Sequence, residues 1–357
     1  MTGRSRHLCD FDVPGLAAEF AADGMNPLHA RKVLRQFFNT QGRPDFASLE
    51  LGIRWTPYLE RNWSTRPSRV LHRSVAADGT TKLLVGFSSG GAAECVLMPG
   101  FKPDIAAGCV SSQIGCAMGC DFCASTKNGL ERSLTSGEIV EQFLHLRAEA
   151  ETVGRRVKTI VFMGMGEPML NLDQVIPAIG RITGQDLGSL GPRHVTVSTV
   201  GIVPGIDRLT AADLNVHLAL SLHAPDDATR TRIVPGNRRY PVAEVMAATQ
   251  RFYDATGRIP TIEYCLLAGV NDHDFQAELL SDLMTDLRGH VNLIPYNPIG
   301  AGVSGTIYRK PTADAVARFL GILRDRKVVA HVRRTRGDDV NAACGQLRET
   351  ALPVLAG

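Results

Sequence analysis

The sequence predicts an α/β protein: a partial, open TIM-type (β/α)6 barrel preceded by a small N-terminal helical domain and a β-hairpin extension. Three observations predict it. From about Gly108 onward, short apolar runs at Lys158–Met163, His194–Ser198, His217–Ser221, Thr261–Leu266 and Val291–Ile294 alternate with helical stretches. That alternation implies a parallel sheet with right-handed crossovers. Polar and glycine-rich segments follow the runs, where chemistry gathers in parallel α/β sheets and barrels. The 357 residues suit a barrel with an appendage, and their 44% hydrophobic content can bury its core.

Taken in order, residues 1–69 read as an accessory unit. Leu28–Phe38 carries apolar residues at helical spacing with Arg31, Lys32 and Arg35 among them. Those charges read either as a solvated helix face or as contacts to an RNA backbone. Residues 70–107 contain two strand-like runs, Thr81–Phe87 and Ala93–Met98. Asp78-Gly79 marks a turn before the first, and Ser88–Gly91 separates the two, a β-hairpin pattern. The core spans 108–347, with a tail over 348–357. Its helices include one opened by Thr135 and Glu138, a capping box. Others run from Pro241 to about Thr256 and over Ala313–Arg326.

Composition excludes several classes. Thirty-nine basic against 36 acidic residues leave +3, too little to claim nucleic-acid binding and no obstacle to it. No apolar run is long enough to span a bilayer, and Met1–His7 has no apolar h-region, so no membrane and no signal peptide are expected. Eight cysteines, three of them on one loop, read as cofactor or catalytic thiols in a reducing cytoplasm.

Cys116, Cys120 and Cys123 form a Cys-x-x-x-Cys-x-x-Cys run. A [4Fe-4S] cluster normally takes four thiolates. Three on one loop leave one iron open to a substrate. Zinc also takes thiolates, but usually in two Cys-x-x-Cys or Cys/His pairs, and no second pair is visible. An iron left open for S-adenosylmethionine (SAM) is the signature of radical-SAM enzymes, which this loop resembles.

Met163–Pro168, Ser198–Gly201, Ser221–His223 and Pro295–Pro298 follow other strands and would line the same mouth. Gly164 and Gly166 permit close backbone approach. The carboxylate of Glu167 suits an ammonium group. Ser198, Ser221, His223 and Asn297 can hydrogen-bond a carboxylate, ribose or adenine. His223 alone would equally serve as a structural histidine. Cys9, Cys95 and Cys265 carry no motif; Cys265 reads as a core thiol. Cys344, among small residues, is either a buried cysteine near the chain end or a sulfur open to close approach.

Cys109–Cys116, the cluster loop, Gly164–Pro168, Leu220–Ala224, Asn292–Pro298 and Arg334–Leu347 together resemble the RlmN/Cfr family of radical-SAM RNA methyltransferases, over nearly the whole length. The Thr-Arg-Gly-Asp-Asp run at 335–339 is closer to RlmN. The resemblance implies a [4Fe-4S] cluster on Cys116, Cys120 and Cys123. It implies SAM against Gly166, Glu167, Ser198, Ser221, Leu222, His223 and Asn297, two molecules per turnover. Cys344 would carry a methyl group, Cys109 would resolve it through a transient disulfide, and Glu94 would be the base. From its own residues Glu94 reads only as an exposed strand position. The product implied is 2-methyladenosine in 23S ribosomal RNA, in transfer RNA or in both, with a flavodoxin-type electron donor; a monomeric chain is the default expectation. Val200, where many RlmN sequences have Ser, resembles the Cfr side, for which adenine carbon 8 is the target. Gly119 and Ala124–Thr126 also depart from the pattern. The basic segments Arg230–Arg232, Arg238-Arg239 and Arg333–Arg336 are candidate RNA contacts.

Overall fold

The computed structural model describes residues 6–348. Apart from Arg348, the expected tail lies outside them, as do residues 1–5. The frame is one mixed, unclosed sheet of ten strands, in which neighbours in space are also neighbours in sequence. In chain order these are β1 (Arg69–Val75), β2 (Thr81–Gly86), β3 (Ala92–Pro99), β4 (Ile105–Cys109), β5 (Arg156–Phe162), β6 (Val195–Thr199), β7 (His217–Ser221), β8 (Thr261–Leu266), β9 (His290–Pro295) and β10 (Ala330–Val332). The pairs from β1 to β4 are antiparallel. Those from β4 to β10 are parallel.

The parallel part therefore has seven strands, one more than the six expected, the seventh being the short β10. The extension is a three-stranded meander rather than a lone hairpin, and it is continuous with the barrel sheet. The boundary expected between 107 and 108 falls inside β4. The first barrel strand ends at Cys109, not near Gln113. Gln113–Gly115 belongs to a separate hairpin with Leu130–Ser133 that frames the cysteine loop.

Helices pack along the parallel strands, as parallel sheets require both faces to be covered. The helix Ser136–Thr152 opens with the expected capping box: Thr135 Oγ1 accepts from Glu138 N at 3.2 Å, and the Glu138 carboxylate accepts from Thr135 N at 2.8 Å. It is buried on most of its circumference, because the sheet lies on one side and the N-terminal unit on the other. Its Gln142 donates to Ser111 O (3.0 Å) and accepts from Ser111 N (2.9 Å), pinning the chain where it leaves β4.

The N-terminal unit contains the helices Val13–Ala22, Ala30–Asn39 and Trp55–Asn62 around an aromatic cluster. Phe20 meets Trp55 edge-on at 5.0 Å and Trp63 at 5.7 Å. Its apolar core runs without a break into that of the barrel. Buried polar contacts tie the two together: Cys9 Sγ donates to Glu141 Oε1 (3.1 Å), and Ser68 N to Glu141 Oε2 (3.1 Å). Among the described residues no helix is long and apolar enough to cross a membrane.

Candidate active site

The cysteine loop is closed by its own backbone. Cys116 N donates to Gly129 O (2.9 Å) and Cys123 N to Cys120 O (3.0 Å). Thr126 Oγ1 donates to Cys123 O (3.0 Å) and Cys120 O (3.2 Å). Gly115 opens the loop with φ +74°, and a Cβ there would lie 2.0 Å from Gly129 O, so only glycine fits. Asp121 N reaches Ile233 O (3.0 Å), tethering the loop to the barrel.

Cys116, Cys120 and Cys123 line one cavity with Gly166, Glu167, Ser198, Ser221 and His223. Its roughly 940 Å³ of empty space, partly open to solvent, is the size of a cofactor site. Burial pushes the Cys116 thiol up to about 12 and also raises Cys120, to which the neighbouring thiols add. Cys116 and Cys120 are buried and Cys123 half-buried, and three neighbouring sulfurs become thiolates together only beside compensating positive charge, which bound iron provides. The donor set therefore fits an iron–sulfur cluster.

Gly166 has φ +97°, and a Cβ would stand 2.5 Å from Gln113 Cβ. The next residue, Glu167, is buried; its carboxylate accepts from Val200 N (2.9 Å) and Met169 N (3.1 Å), and burial lifts its pKa to about 7. Ser198 Oγ and Ser221 Oγ are 3.2 Å apart, on adjacent strands. His223 adopts φ +60°, its Nδ1 accepts from Cys265 N (3.0 Å), and its ring meets Phe122 edge-on at 4.8 Å. Burial lowers its pKa to about 3, so it is a neutral imidazole with the proton assigned to Nε2. Two residues expected here lie elsewhere. The Leu222 side chain is fully buried in the core and its carbonyl is taken by Arg230 Nε (2.9 Å). Asn297 lines an adjoining cavity, where its amide donates to Cys344 O (3.2 Å).

That second cavity holds Cys109, and it shares Met163, Ile294, Arg333 and Cys344 with the first. Cys344 thus faces the cluster loop on one side and Cys109 on the other. Burial, followed by the nearby Cys344, pushes the Cys109 thiol up to about 12. The segment carrying Cys344 explains the residues of its motif. Asp339 Oδ2 accepts from Ala77 N (2.9 Å), Asp338 Oδ1 from Gln346 Nε2 (2.9 Å), and Gly337 N donates to Asp78 Oδ2 (3.3 Å). Gly337 has φ +65°, with Thr80 and Ala342 each 2.8 Å from any added Cβ.

Glu94 is not exposed. It faces the C-terminal segment from β3, 4% accessible, with Lys82 Nζ 2.9 Å from Oε1 and Arg348 N donating to Oε2 (2.8 Å). Glu94 is the one charged side chain in the apolar run of β3, and the C-terminal segment covers its face, which no local pattern announces.

Of the basic segments, Arg230 is corrected outright. It is fully buried and donates to the carbonyls of Leu222, Tyr240 and Val200 and to Asn237 Oδ1, bracing three loops at the strand ends. A lone arginine in a Thr-Arg-Thr-Arg run carries no signal of this. Arg232, Arg238, Arg239 and Arg334 are exposed. Arg31 and Arg35 both face Asp186 (3.3 and 3.7 Å), and Lys32 Nζ donates to Leu49 O. Glu263 and Cys265, on β8, also line the first cavity; strand alternation could have placed both there, but neither stands in a motif.

An open α/β barrel with three thiols of this spacing at its strand ends, opposite a ligand-sized cavity, defines a radical-SAM enzyme. Residues 110–280 match the Radical SAM superfamily. The chain is 51% identical over 345 residues to a probable dual-specificity RNA methyltransferase RlmN 1 of Opitutus terrae, covering 96% of each chain. It is 40% identical to a probable dual-specificity RNA methyltransferase RlmN of Rhodopirellula baltica, covering 97% of this chain and 91% of that one. A radical SAM methyltransferase from Sphaerobacter thermophilus has the same fold, with a TM-score of 0.90 and 40% identity over 96% of this chain and 99% of that one. The chain belongs to the RlmN family of radical-SAM methyltransferases, and its cofactors are a [4Fe-4S] cluster and SAM.

Proposed function

We propose that this enzyme methylates carbon 2 of adenosine in RNA, both 23S ribosomal RNA and transfer RNA, using Cys344 as the methyl carrier. The observation that carries the reading is the placement of Cys344 between the cavity of the cluster cysteines and the cavity that holds Cys109. Dual-specificity RNA methyltransferase is the name its relatives carry.

Carbon 2 of adenine is an electron-poor amidine carbon and cannot attack the methyl of SAM. A carrier thiol and a radical route remove that obstacle, and the cofactors carry the hard step. The Cys344 thiolate takes a methyl group from SAM by displacement. A reduced cluster held by Cys116, Cys120 and Cys123 would supply the electron that cleaves a second SAM into methionine and a 5′-deoxyadenosyl radical, the species able to take a hydrogen from the methyl group on Cys344. The methylene left on the Cys344 sulfur adds to carbon 2. Glu94 accepts the carbon-2 proton. The odd electron left by that addition passes to the flavodoxin-type redox partner. Cys109 then attacks the Cys344 sulfur; the S–S bond forms as the bond from sulfur to the methylene breaks, and the methylene takes up the Cys109 thiol proton to become the methyl group of the freed RNA.

Cys116, Cys120 and Cys123 would hold the cluster. Glu167 and the Gly166 carbonyl would meet the SAM ammonium, and Ser198, Ser221 and His223 its carboxylate, ribose or adenine. Leu222 would act by fixing the turn that presents His223, and Asn297 by holding Cys344. Residues 1–69 and the exposed Arg232, Arg238, Arg239 and Arg334 would receive the RNA backbone. The target adenosine would be unstacked, since stacking hides carbon 2. A flavodoxin-type donor would serve as reductant to a monomeric, cytoplasmic enzyme.

Expression in cells lacking their own enzyme of this family, followed by nucleoside mass spectrometry on separated ribosomal and transfer RNA, tests the reading. 2-Methyladenosine in both fractions is expected. 8-Methyladenosine would move the assignment to the Cfr reaction, and neither product would overturn it.

A further inference from the structure

Lys82 stands on β2, two residues from Leu84, the direct cross-strand partner of Glu94. That makes it a diagonal neighbour on the same face, within reach of a long side chain. Its Nζ lies 2.9 Å from Glu94 Oε1, and the two side chains are only 14% and 5% exposed. The same Nζ donates to Asn341 O at 3.2 Å, three residues before Cys344. One ammonium therefore touches both the carboxylate and the segment that carries the methyl-bearing cysteine.

The other groups facing Glu94 leave this role to Lys82. Arg348 offers a backbone N–H to Oε2 from the C-terminal segment. Ser111 Oγ donates to the Glu94 carbonyl, not to its carboxylate. Cys95, the next residue, is kept a neutral thiol by burial. Burial raises the Glu94 pKa, and Lys82 is the first of the groups that oppose the rise, ahead of Arg348. Without the ammonium, the N–H and the charge of Arg348 would be left to oppose burial, which favours the protonated acid, a poorer base.

We propose that Lys82 is a positioning residue for Glu94, holding it anionic and aimed at the adenine while fixing its distance from Cys344 through Asn341. The inference rests on the reading of Glu94 as the base. Lys82 itself exchanges no proton. Carbon 2 gives its proton to the Glu94 carboxylate, the C–H electron pair stays with the ring, and Lys82 remains an ammonium throughout.

The test uses the full-length holoenzyme, a target RNA hairpin, and the variants Lys82→Met, Lys82→Arg and Glu94→Gln. Two quantities are read: methyl on Cys344 by intact-protein mass before RNA is added, and decay of the covalent protein–RNA adduct on denaturing gels across pH. Lys82→Met is expected to methylate Cys344 as the parent does. Its adduct should decay ~10-fold or more slowly, the scale of a compromised general base, with the acid limb moved to higher pH. Lys82→Arg should recover most of the rate. Parent-like decay and pH profile in Lys82→Met, while Glu94→Gln stalls, would reject Lys82 and leave Glu94 in place. Normal decay in Glu94→Gln would reject the base itself and the inference with it. Loss of Cys344 methylation in both lysine variants would reduce Lys82 to an anchor of the C-terminal segment and overturn the proposal.

Discussion

The cluster loop and the Cys344 segment both bring sulfur to the same cavity, and they differ in how far their own neighbours hold them. The loop closes on bonds between close neighbours, such as Thr126 Oγ1 to Cys120 O and Cys123 O, and is tethered to the barrel through Asp121, which meets Ile233 O, Ser304 and Tyr308. The Cys344 segment hangs on groups far away in sequence. Asp339 takes Ala77 N, Asn341 O takes Lys82, and Leu347 O takes Ser125 Oγ, across 262, 259 and 222 positions. It also touches the loop directly, where Ala124 N donates to Gly345 O (2.7 Å). A cofactor that stays put sits on a loop with its own scaffold. The sulfur that the proposed mechanism passes between SAM, RNA and Cys109 sits on a strap positioned by the rest of the fold.

The strongest test of that contrast separates the two kinds of cysteine. Cys120→Ala should lose the cluster and all product. Cys344→Ala should keep iron and sulfide in the parent's ratio and make no methylated RNA. Iron loss from Cys344→Ala would show that strap and loop are one unit. Cys109→Ala should leave iron intact and accumulate a protein–RNA adduct resistant to denaturation; normal turnover would remove Cys109 from the scheme.

Glycines grade the contrast next. Gly115→Ala forces a side chain onto Gly129 O and should cost about 3 kcal/mol or more in denaturant unfolding, along with the cluster. Gly345→Ala, in the strap, also has φ of +82°, but its nearest atom is 3.6 Å away, so about 1–2 kcal/mol is expected. Equal losses would erase the distinction.

Acid stability should be set by neither region. His145 is buried against Ser68 Oγ (2.9 Å), where the N-terminal unit meets the barrel, and burial lowers its pKa to about 3. Its contribution is fully present above the unfolded value near 6.5 and is lost as pH falls from there towards 3, because only the unfolded chain takes the proton. His145→Gln should flatten this part of the stability profile by about 1–2 kcal/mol. An unchanged slope would place the acid sensitivity elsewhere. The smallest effect is expected from Asp339→Ala, which removes one exposed strap bond. It should lose about 1 kcal/mol or less and leave iron content unchanged, with product formation a few-fold slower.

Legibility in the sequence follows the same division. β7 and β8 have the limits that their apolar runs suggest, and the capping box at Thr135 forms as its spacing requires. β1 had no such signature. It is an edge strand, mostly exposed along its length, so its residues do not alternate in hydrophobicity. β10 has three residues, too few to show a period. Gln113–Gly115 is buried and extended like a barrel strand, yet the chain has already left the sheet at Cys109.

The sequence by itself determined what depends on neighbours along the chain: three thiols at fixed spacing, glycines at tight turns, a helix start, and strands whose ends carry polar segments. Spacing over a few residues constrains geometry directly, so these features need no knowledge of the rest. Only the tertiary structure decided that Glu94 is buried beside Lys82, that Arg230 braces the cavity from inside instead of meeting RNA, and that Cys344 lies between Cys109 and the cluster loop. Burial and charge pairing depend on which strands become neighbours and in what register, and those are settled by contacts hundreds of residues apart.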